Sequence, residues 1–146
     1  MPPLAKIWEI LLVEDDPADA DLFRMALRDT GDGDMHISCV GDGNQALDFL
    51  YQRRKHGAAG RPDLIFLDLN LPIVDGRKVL ETVKSDADLR DIPIVVLSTS
   101  SAKVDIVQSY QRGANSYLVK PADVEMLFEM MRTCSRYWFH TAVLHS

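Results

Sequence analysis

The sequence predicts an α/β domain built on a parallel β-sheet with helices on both faces. Short apolar runs alternate five times with longer segments in which apolar residues recur at helical spacing. Strict alternation of this kind is typical of parallel sheets, because each parallel connection needs a crossover segment. The apolar runs are nearly continuous, as expected of strands that are covered on both sides.

Five strands are predicted from these runs. They are IWEILLV (7–13), MHISCV (35–40), DLIFLD (63–68), IPIVVLS (92–98) and SYLVK (116–120). The second run alternates between polar and apolar residues, whereas the first is unbroken and rich in β-formers. Pro93 stands at the start of the fourth run, where its missing N–H does least harm to a sheet.

Five helices are predicted between and after the strands. They are PADADLFRMALRD (17–29), GNQALDFLYQRR (43–54), GRKVLETVKSD (76–86), AKVDIVQSYQRG (102–113) and ADVEMLFEMMRTCSRYWF (122–139). Phe23 and Leu27 show the helical spacing in the first. Asp16 followed by Pro17 fits an N-cap with proline at the first helical position. Gly113 is a common type of residue just past a helix end.

Composition narrows the functional classes. The chain has 146 residues, 47% of them hydrophobic, which suits one domain with a real core. A net charge of −6 argues against a general phosphate-backbone binder. Cys39 and Cys134 form neither a metal-ligand spacing nor a disulfide framework, so we expect reduced thiols and a cytoplasmic location. We expect no signal peptide and no membrane span.

Chemically active residues follow four of the five predicted strands. In an open parallel sheet, ligands bind outside the carboxyl ends of the strands. The residues at those ends are Glu14, Asp15 and Asp16 after the first strand, Asp68 after the third, Ser98 and Thr99 after the fourth, and Lys120 after the fifth. The sequence therefore brings acids, hydroxyls and a lysine to one edge.

This combination favours phosphoryl transfer with Mg²⁺. Clustered carboxylates repel one another, and a divalent cation that prefers oxygen ligands relieves that repulsion. A lysine and a hydroxyl suit an anionic group, and a carboxylate can itself accept the phosphoryl group. Taken singly, each residue has an ordinary structural explanation as a cap, a turn former or a solvated charge. Their joint occurrence at one edge is what favours a site.

Four motifs in order resemble the receiver domain of two-component response regulators over roughly residues 6–138. They are ILLVEDDP, PDLIFLDLNLPIVDG, IPIVVLSTS and GANSYLVKP. The resemblance implies a flavodoxin-like, doubly wound sheet of five parallel strands in the order 2-1-3-4-5, with five helices.

The resemblance also implies a role for each matching position. Asp68 would accept a phosphoryl group from a phosphohistidine on a sensor histidine kinase. Asp15 would bind Mg²⁺ directly, Glu14 would act mainly through water, and Asn70 would offer its backbone carbonyl to the metal. Lys120 would contact the phosphoryl group.

Two further positions match the residues that switch conformation in this family. Ser98 matches the hydroxyl that moves to bond the phosphate, and Tyr117 matches the aromatic residue that turns inward on activation. The family often has a cis bond at the position of Lys120–Pro121. The chain departs from the family in carrying Glu14 where aspartate is usual.

The loop RRKHGAAGRP and the ending YWFHTAVLHS (137–146) resemble the small single-domain, chemotaxis-regulator-like proteins that pair with bacterial phytochrome kinases. This finer resemblance implies a red-light-sensing kinase as partner and homodimerisation. We expect no output domain, no direct nucleic-acid contact and no membrane partner. Residues 139–146 would form a tail for dimer or partner contact, because consecutive aromatics exceed what one helix face can bury. The alternative is that Trp138 and Phe139 fold back on the fifth helix.

Two other functions remain open from the residues alone. The first is a Mg²⁺-dependent phosphatase with an aspartate nucleophile. In such enzymes of the haloacid-dehalogenase type, however, the nucleophile follows the first strand in a D-x-D pattern. The second is a pseudo-receiver that serves only as an interaction scaffold, against which the intact Asp68, Lys120 and acidic pair count. We expect a phosphoacceptor signalling domain rather than an enzyme.

Overall fold

The structure is a computed structural model that describes residues 7–31, 33–55 and 61–144, with the backbone alone for residues 53–55. The central part of the loop RRKHGAAGRP, residues 56–60, and the last two residues of the expected tail lie outside these ranges. The strands are β1 (Trp8–Val13), β2 (Met35–Val40), β3 (Leu64–Asp68), β4 (Ile94–Ser98) and β5 (Ser116–Val119). The helices are α1 (Pro17–Arg28), α2 (Gly43–Lys55), α3 (Gly76–Ser85), α4 (Lys103–Gln111) and α5 (Val124–Ser135), followed by a π-helical turn at Arg136–Thr141.

All five strands pair in parallel in the order β2-β1-β3-β4-β5. The predicted fold class and strand order are confirmed. The register aligns the carboxyl ends, since Val13 lies beside Leu67 and Asp68 lies beside Leu97. Glu14, the residue after β1, therefore emerges at the same edge as Asp68.

Two apolar cores lie on opposite faces of the sheet. One consists of β-strand residues packed on α2 and α3, including Leu50, Val79, Leu80 and Val83. The other packs strand residues on α1 and α5, including Phe23, Leu27 and Met131. Successive strand residues point to opposite faces, which is why the doubly covered strands are apolar at almost every position.

Local signals at the helix ends act as the sequence predicts. Asp16 caps α1 by accepting hydrogen bonds from the N–H groups of Ala18 and Asp19 at 2.9 and 3.3 Å. Gly113, just past α4, has a φ of +105°, a conformation that favours glycine. Asp16 is thus occupied by capping and lies beside the acidic pair without sharing its role.

The end of the chain differs from the prediction of one helix over 122–139. The α-helix begins at Val124, after the Asp123 cap, and gives way to the π-helical turn at Arg136. Within that turn Phe139 is buried and packs on Trp8 of β1, with ring centroids 4.7 Å apart. The wider turn changes the angle between successive side chains, so the aromatic run is split between core and surface.

The aromatic ending is therefore partly core. Trp138 is half-buried against the α1–α5 core, while Tyr137 is 52% exposed and contacts the Trp138 ring edge-on. Phe139, the first residue of the expected tail, lies inside the core, and Val143 is exposed. Over the described ranges, none of the helices combines the length and the hydrophobicity needed to cross a bilayer.

Candidate functional site

Asp68 lies at the last position of β3 and is only 6% exposed. Its Oδ1 atom accepts a hydrogen bond from the Asn70 N–H at 2.9 Å, so the side chain braces the turn that begins directly after the strand. Its Oδ2 atom accepts a hydrogen bond from Lys120 Nζ at 2.9 Å. The carboxylate is thus held in one orientation at the sheet edge.

The loop after Asp68 packs too closely to allow a side chain at Gly76. A Cβ atom there would lie 2.2 Å from the Asp68 carbonyl oxygen and 2.6 Å from the Leu69 Cα. The Gly76 N–H donates to the Leu69 carbonyl at 2.9 Å, which folds the start of α3 back on the end of β3. The sequence DG at 75–76 therefore fixes the loop that carries Asn70.

Lys120 joins the acids of two different strands. Its Nζ atom donates to Glu14 Oε2 at 2.7 Å and to Asp68 Oδ2 at 2.9 Å. Its backbone N–H donates to the Ser98 carbonyl at 2.7 Å, which anchors the end of β5 beside β4. Glu14 and Asp68, which precede Lys120 by 106 and 52 positions in the chain, thus meet at its ammonium group.

Burial and charge set the ionisation of this group of residues. Burial raises the pKa of Glu14 from 4.5 to about 7; the hydrogen bond from Lys120 opposes the rise, and the neighbouring Asp68 adds to it. Burial alone would lower the pKa of Lys120, but its hydrogen bonds to Glu14 and Asp68 outweigh burial and raise it. The lysine therefore stays positively charged between the two acids.

The acids form a group suited to a divalent cation. Glu14, Asp15 and Asp68 each offer a carboxylate oxygen, and these atoms lie within 4.8 Å of one another. Asp15 is exposed, whereas the other two are buried. Carboxylate oxygens at this separation fit Mg²⁺, which binds one or two carboxylates and keeps several waters. Asn70 lies two residues past Asp68, in the turn that directly follows β3. Its backbone carbonyl, expected as a further ligand, is therefore part of the same turn.

The two expected switch residues, Ser98 and Tyr117, both form a hydrogen bond with Ser100. Ser98 is buried at the end of β4, and its Oγ atom accepts a hydrogen bond from the Ser100 N–H at 3.1 Å. Tyr117 is half-buried, and its hydroxyl donates to the Ser100 carbonyl at 2.9 Å. The expectation of a cis peptide bond at Lys120–Pro121 is wrong, since the described residues contain no cis peptide bond.

Ser100 contacts both switch residues, and nothing in the sequence predicted this role. The only available signal was its place in the hydroxyl-rich run STSS, which does not show what a given hydroxyl contacts.

Beside the site, a cavity of about 520 Å³ opens between α1 and the start of α5, with Glu14, Thr99 and Lys120 in its wall. The site is therefore accessible from the side of α1.

Residues 10–132 match the response regulator receiver domain. The chain belongs to the response regulator receiver family. The recognition made from the four motifs is confirmed. Receiver domains bind a divalent cation, and this receiver has an acidic cluster at the sheet edge.

Relatives of known structure agree over nearly the whole chain. Response regulator Rcp1 of Synechocystis sp. is 42% identical over 135 residues, which make up 92% of this receiver and 91% of Rcp1. The crystal structure of the phosphorylated cyanobacterial phytochrome response regulator RcpA superposes with a TM-score of 0.87 at 42% identity, covering 97% of this receiver and 100% of RcpA. The Mn²⁺-bound form of Rcp1 superposes with a TM-score of 0.85 at 40% identity, covering 95% and 99% of the two chains. This receiver is thus related to phytochrome response regulators.

Proposed function

We propose that Asp68 accepts a phosphoryl group from a phosphohistidine of a sensor histidine kinase, and that Lys120, Ser98 and Tyr117 convert its arrival into a change of shape. The observation that carries the proposal is the Asp68 carboxylate itself, fixed between Lys120 Nζ and the acidic pair at the sheet edge. The protein then acts as a signalling switch in the cytoplasm and not as an enzyme on other molecules.

The transfer needs positioning and charge balance more than covalent machinery. A carboxylate oxygen of Asp68 forms a bond to phosphorus, the bond from phosphorus to the histidine nitrogen breaks, and that nitrogen keeps the electron pair. Glu14, Asp15, Asp68 and the Asn70 carbonyl would hold Mg²⁺, which neutralises phosphoryl charge when bound. Lys120, already 2.9 Å from Asp68 Oδ2, can move its hydrogen bond to a phosphoryl oxygen.

The switch follows from new contacts to the phosphoryl oxygens. A phosphoryl group adds negative charge and strong acceptors at Asp68. The Ser98 hydroxyl donates to it, which favours the arrangement of the β4–α4 loop in which Tyr117 lies inward. Phosphorylation thereby shifts the population between two packings of α4, β5 and α5.

We also propose that the kinase is a phytochrome and that the output includes homodimerisation. The first part rests on the similarity to RcpA, which is a phytochrome response regulator. The second rests on large apolar side chains exposed along α4, β5 and the start of α5, namely Val104, Val107, Tyr110, Val119 and Val124. Neighbouring apolar groups of this kind often mark a protein contact.

The proposal is tested by labelling with acetyl phosphate, with and without Mg²⁺, read by intact mass and size-exclusion chromatography. We expect a Mg²⁺-dependent phosphate adduct in the wild type and none in Asp68→Asn. Asp42→Asn is the matched control, because Asp42 is an equally buried acid that caps α2, a role asparagine also fills. Labelling that survives in Asp68→Asn, or that is lost in Asp42→Asn, would contradict the assignment.

The partner is tested separately. An autophosphorylated phytochrome kinase should transfer phosphate to the wild type faster than an unrelated histidine kinase does, and light should change the rate. If the wild type takes no phosphate from any donor with Mg²⁺ present, the scaffold function replaces the present proposal.

A further inference from the structure

We infer that Arg77 and Asp105 are positioning residues that act through Ser100. They hold the β4–α4 loop (residues 99–102, called the switch loop) in the arrangement in which Tyr117 lies inward. The inference rests on the proposed function and goes beyond it, because neither residue touches Asp68 or the acidic cluster. Arg77, Asp105 and Ser100 are called the α3–α4 bridge below.

The bridge is a continuous set of contacts across three elements. The Ser100 hydroxyl donates to Asp105 Oδ2 at 2.6 Å. The other oxygen of Asp105, Oδ1, lies 3.6 Å from Arg77 Nη2. Arg77 in turn contacts Asp75 at 3.3 Å, and Asp75 caps α3 directly after the loop that carries Asp68. The switch loop is therefore connected, through Asp105 and Arg77, to the start of α3 and to the loop that follows Asp68.

Ser100 is where the bridge meets both switch residues. Its N–H donates to Ser98 Oγ, and its carbonyl accepts the Tyr117 hydroxyl at 2.9 Å. Its side chain is oriented by Asp105 and also accepts the Ala102 N–H at 3.1 Å. A shift of Ser100 therefore displaces the partners of Ser98 and Tyr117 together.

The direction of the effect follows from the position of Tyr117. Its ring packs against the α2–α3 core, and its hydroxyl bonds the Ser100 carbonyl, so the bridge supports the inward arrangement. A ligand that binds the inward arrangement better binds more weakly when that arrangement is less populated. Breaking the bridge should thus weaken the response to a phosphoryl group without altering the residues that contact it.

A second ion pair between the same two parts of the fold provides a matched control. Glu81 of α3 lies 3.8 Å from Nε of Arg112, the residue that follows α4, at the far end of the helix from Ser100. Glu81→Gln removes an α3–α4 ion pair of the same kind without touching the switch loop. An effect that both sets of variants share would reflect general packing of α3 against α4. An effect confined to the Arg77 and Asp105 variants would reflect the bridge.

The experiment measures the affinity for beryllofluoride, a mimic of a phosphoryl group on a carboxylate, by ¹⁹F NMR titration with Mg²⁺. We expect Asp105→Ala to weaken binding by about tenfold, because it removes the hydrogen bond and the ion pair. Arg77→Gln removes the ion pair alone and should weaken binding by about threefold. Glu81→Gln should bind as the wild type does. If Asp105→Ala does not fold, Asp105→Asn serves in its place; it removes the ion pair but keeps an oxygen that can accept from Ser100, so it should weaken binding by about threefold, as Arg77→Gln does.

A second measurement needs no phosphoryl mimic. In protein with labelled tyrosine rings, Asp105→Ala should move the Tyr117 signal toward that of an exposed ring, and Glu81→Gln should not. The affinity losses of Asp105→Ala and Tyr117→Phe should combine to less than their product, as expected of coupled residues. Equal effects of Asp105→Ala and Glu81→Gln, or an unmoved Tyr117 signal, would overturn the inference. If Asp105→Ala moves the Tyr117 signal but the wild type binds no beryllofluoride, the result would instead overturn the proposed function.

Discussion

Two half-buried lysines lie in different parts of the fold and differ in what they contact. Lys84, at the end of α3, donates to the Arg90 carbonyl at 3.0 Å, the Ile92 carbonyl at 2.8 Å and the Asn115 Oδ1 at 3.0 Å. Lys120, at the carboxyl edge, donates to two carboxylates. An ammonium group has three donors, so Lys84 uses all of them on neutral acceptors.

The pKa values move in opposite directions for this reason. Burial lowers the pKa of Lys84, and only the more distant charge of Asp91 opposes it. Burial acts on Lys120 as well, but two adjacent acids raise its pKa above the usual value. Among the described residues two acceptors bind Lys120 Nζ, which leaves a donor for a phosphoryl oxygen. Lys84 is thus fully used in holding neighbouring segments together, whereas Lys120 is paired with charged groups and has a donor left.

The largest expected difference between the two lysines is in binding of a phosphoryl mimic. Lys120→Ala should weaken beryllofluoride binding by about 100-fold, because a hydrogen bond between two charged groups is lost. Lys84→Ala should leave the affinity of the folded protein unchanged. The ¹⁹F titration described above measures both, and an equal loss in the two variants would remove the distinction.

The stability losses of the two lysine variants should differ in their dependence on Mg²⁺. Lys84→Met keeps the apolar stem but removes three hydrogen bonds, so the free energy of unfolding should fall by about 2–3 kcal/mol, with or without Mg²⁺. Lys120→Met leaves Glu14 and Asp68 facing each other, so its destabilisation should be present without Mg²⁺ and largely relieved by it. Urea unfolding at both Mg²⁺ conditions provides the comparison. A Mg²⁺-dependent loss in Lys84→Met would contradict it.

The smallest effect concerns pH at the carboxyl edge. The pKa of Glu14 is raised to about 7, so this carboxylate loses its charge as the pH falls through that value. The affinity for Mg²⁺ should therefore fall by about tenfold between about pH 8 and about pH 6. Glu14→Gln should bind Mg²⁺ weakly at both values and lose the dependence.

Asp16→Asn is the control for this titration, since asparagine caps α1 as well as aspartate does and the residue is not part of the acidic cluster. It should keep the pH dependence of the wild type. Isothermal titration calorimetry with Mg²⁺ measures each variant, and a flat wild-type profile would mean that Glu14 does not contribute charge to the metal site.

The sequence predicted the sheet because most of the strands are nearly continuous apolar runs, and it predicted the start of α1 from the cap residue Asp16. It also predicted which residues meet at the sheet edge, since parallel strands place their carboxyl ends together and Glu14, Asp68 and Lys120 follow three of them. These predictions need only local pattern and topology.

What the sequence did not predict depends on side-chain direction and on helix geometry. The π-helical turn buries Phe139 against Trp8, whereas the sequence allowed the three adjacent aromatics either to form an exposed contact surface or to fold back on the domain. The contact of Ser100 with Asp105 depends on how the β4–α4 loop folds, and no periodicity reports that. Both features arise from tertiary packing, which a local pattern does not contain.

The most direct test of the central claim is to locate the phosphate on the chain. Borohydride reduces an acyl phosphate to an alcohol, so treatment of the labelled receiver should convert Asp68 alone to homoserine, read by peptide mass spectrometry. Conversion at Asp15 or Glu14, or no conversion in protein that carries the adduct, would show that Asp68 is not the phosphoacceptor.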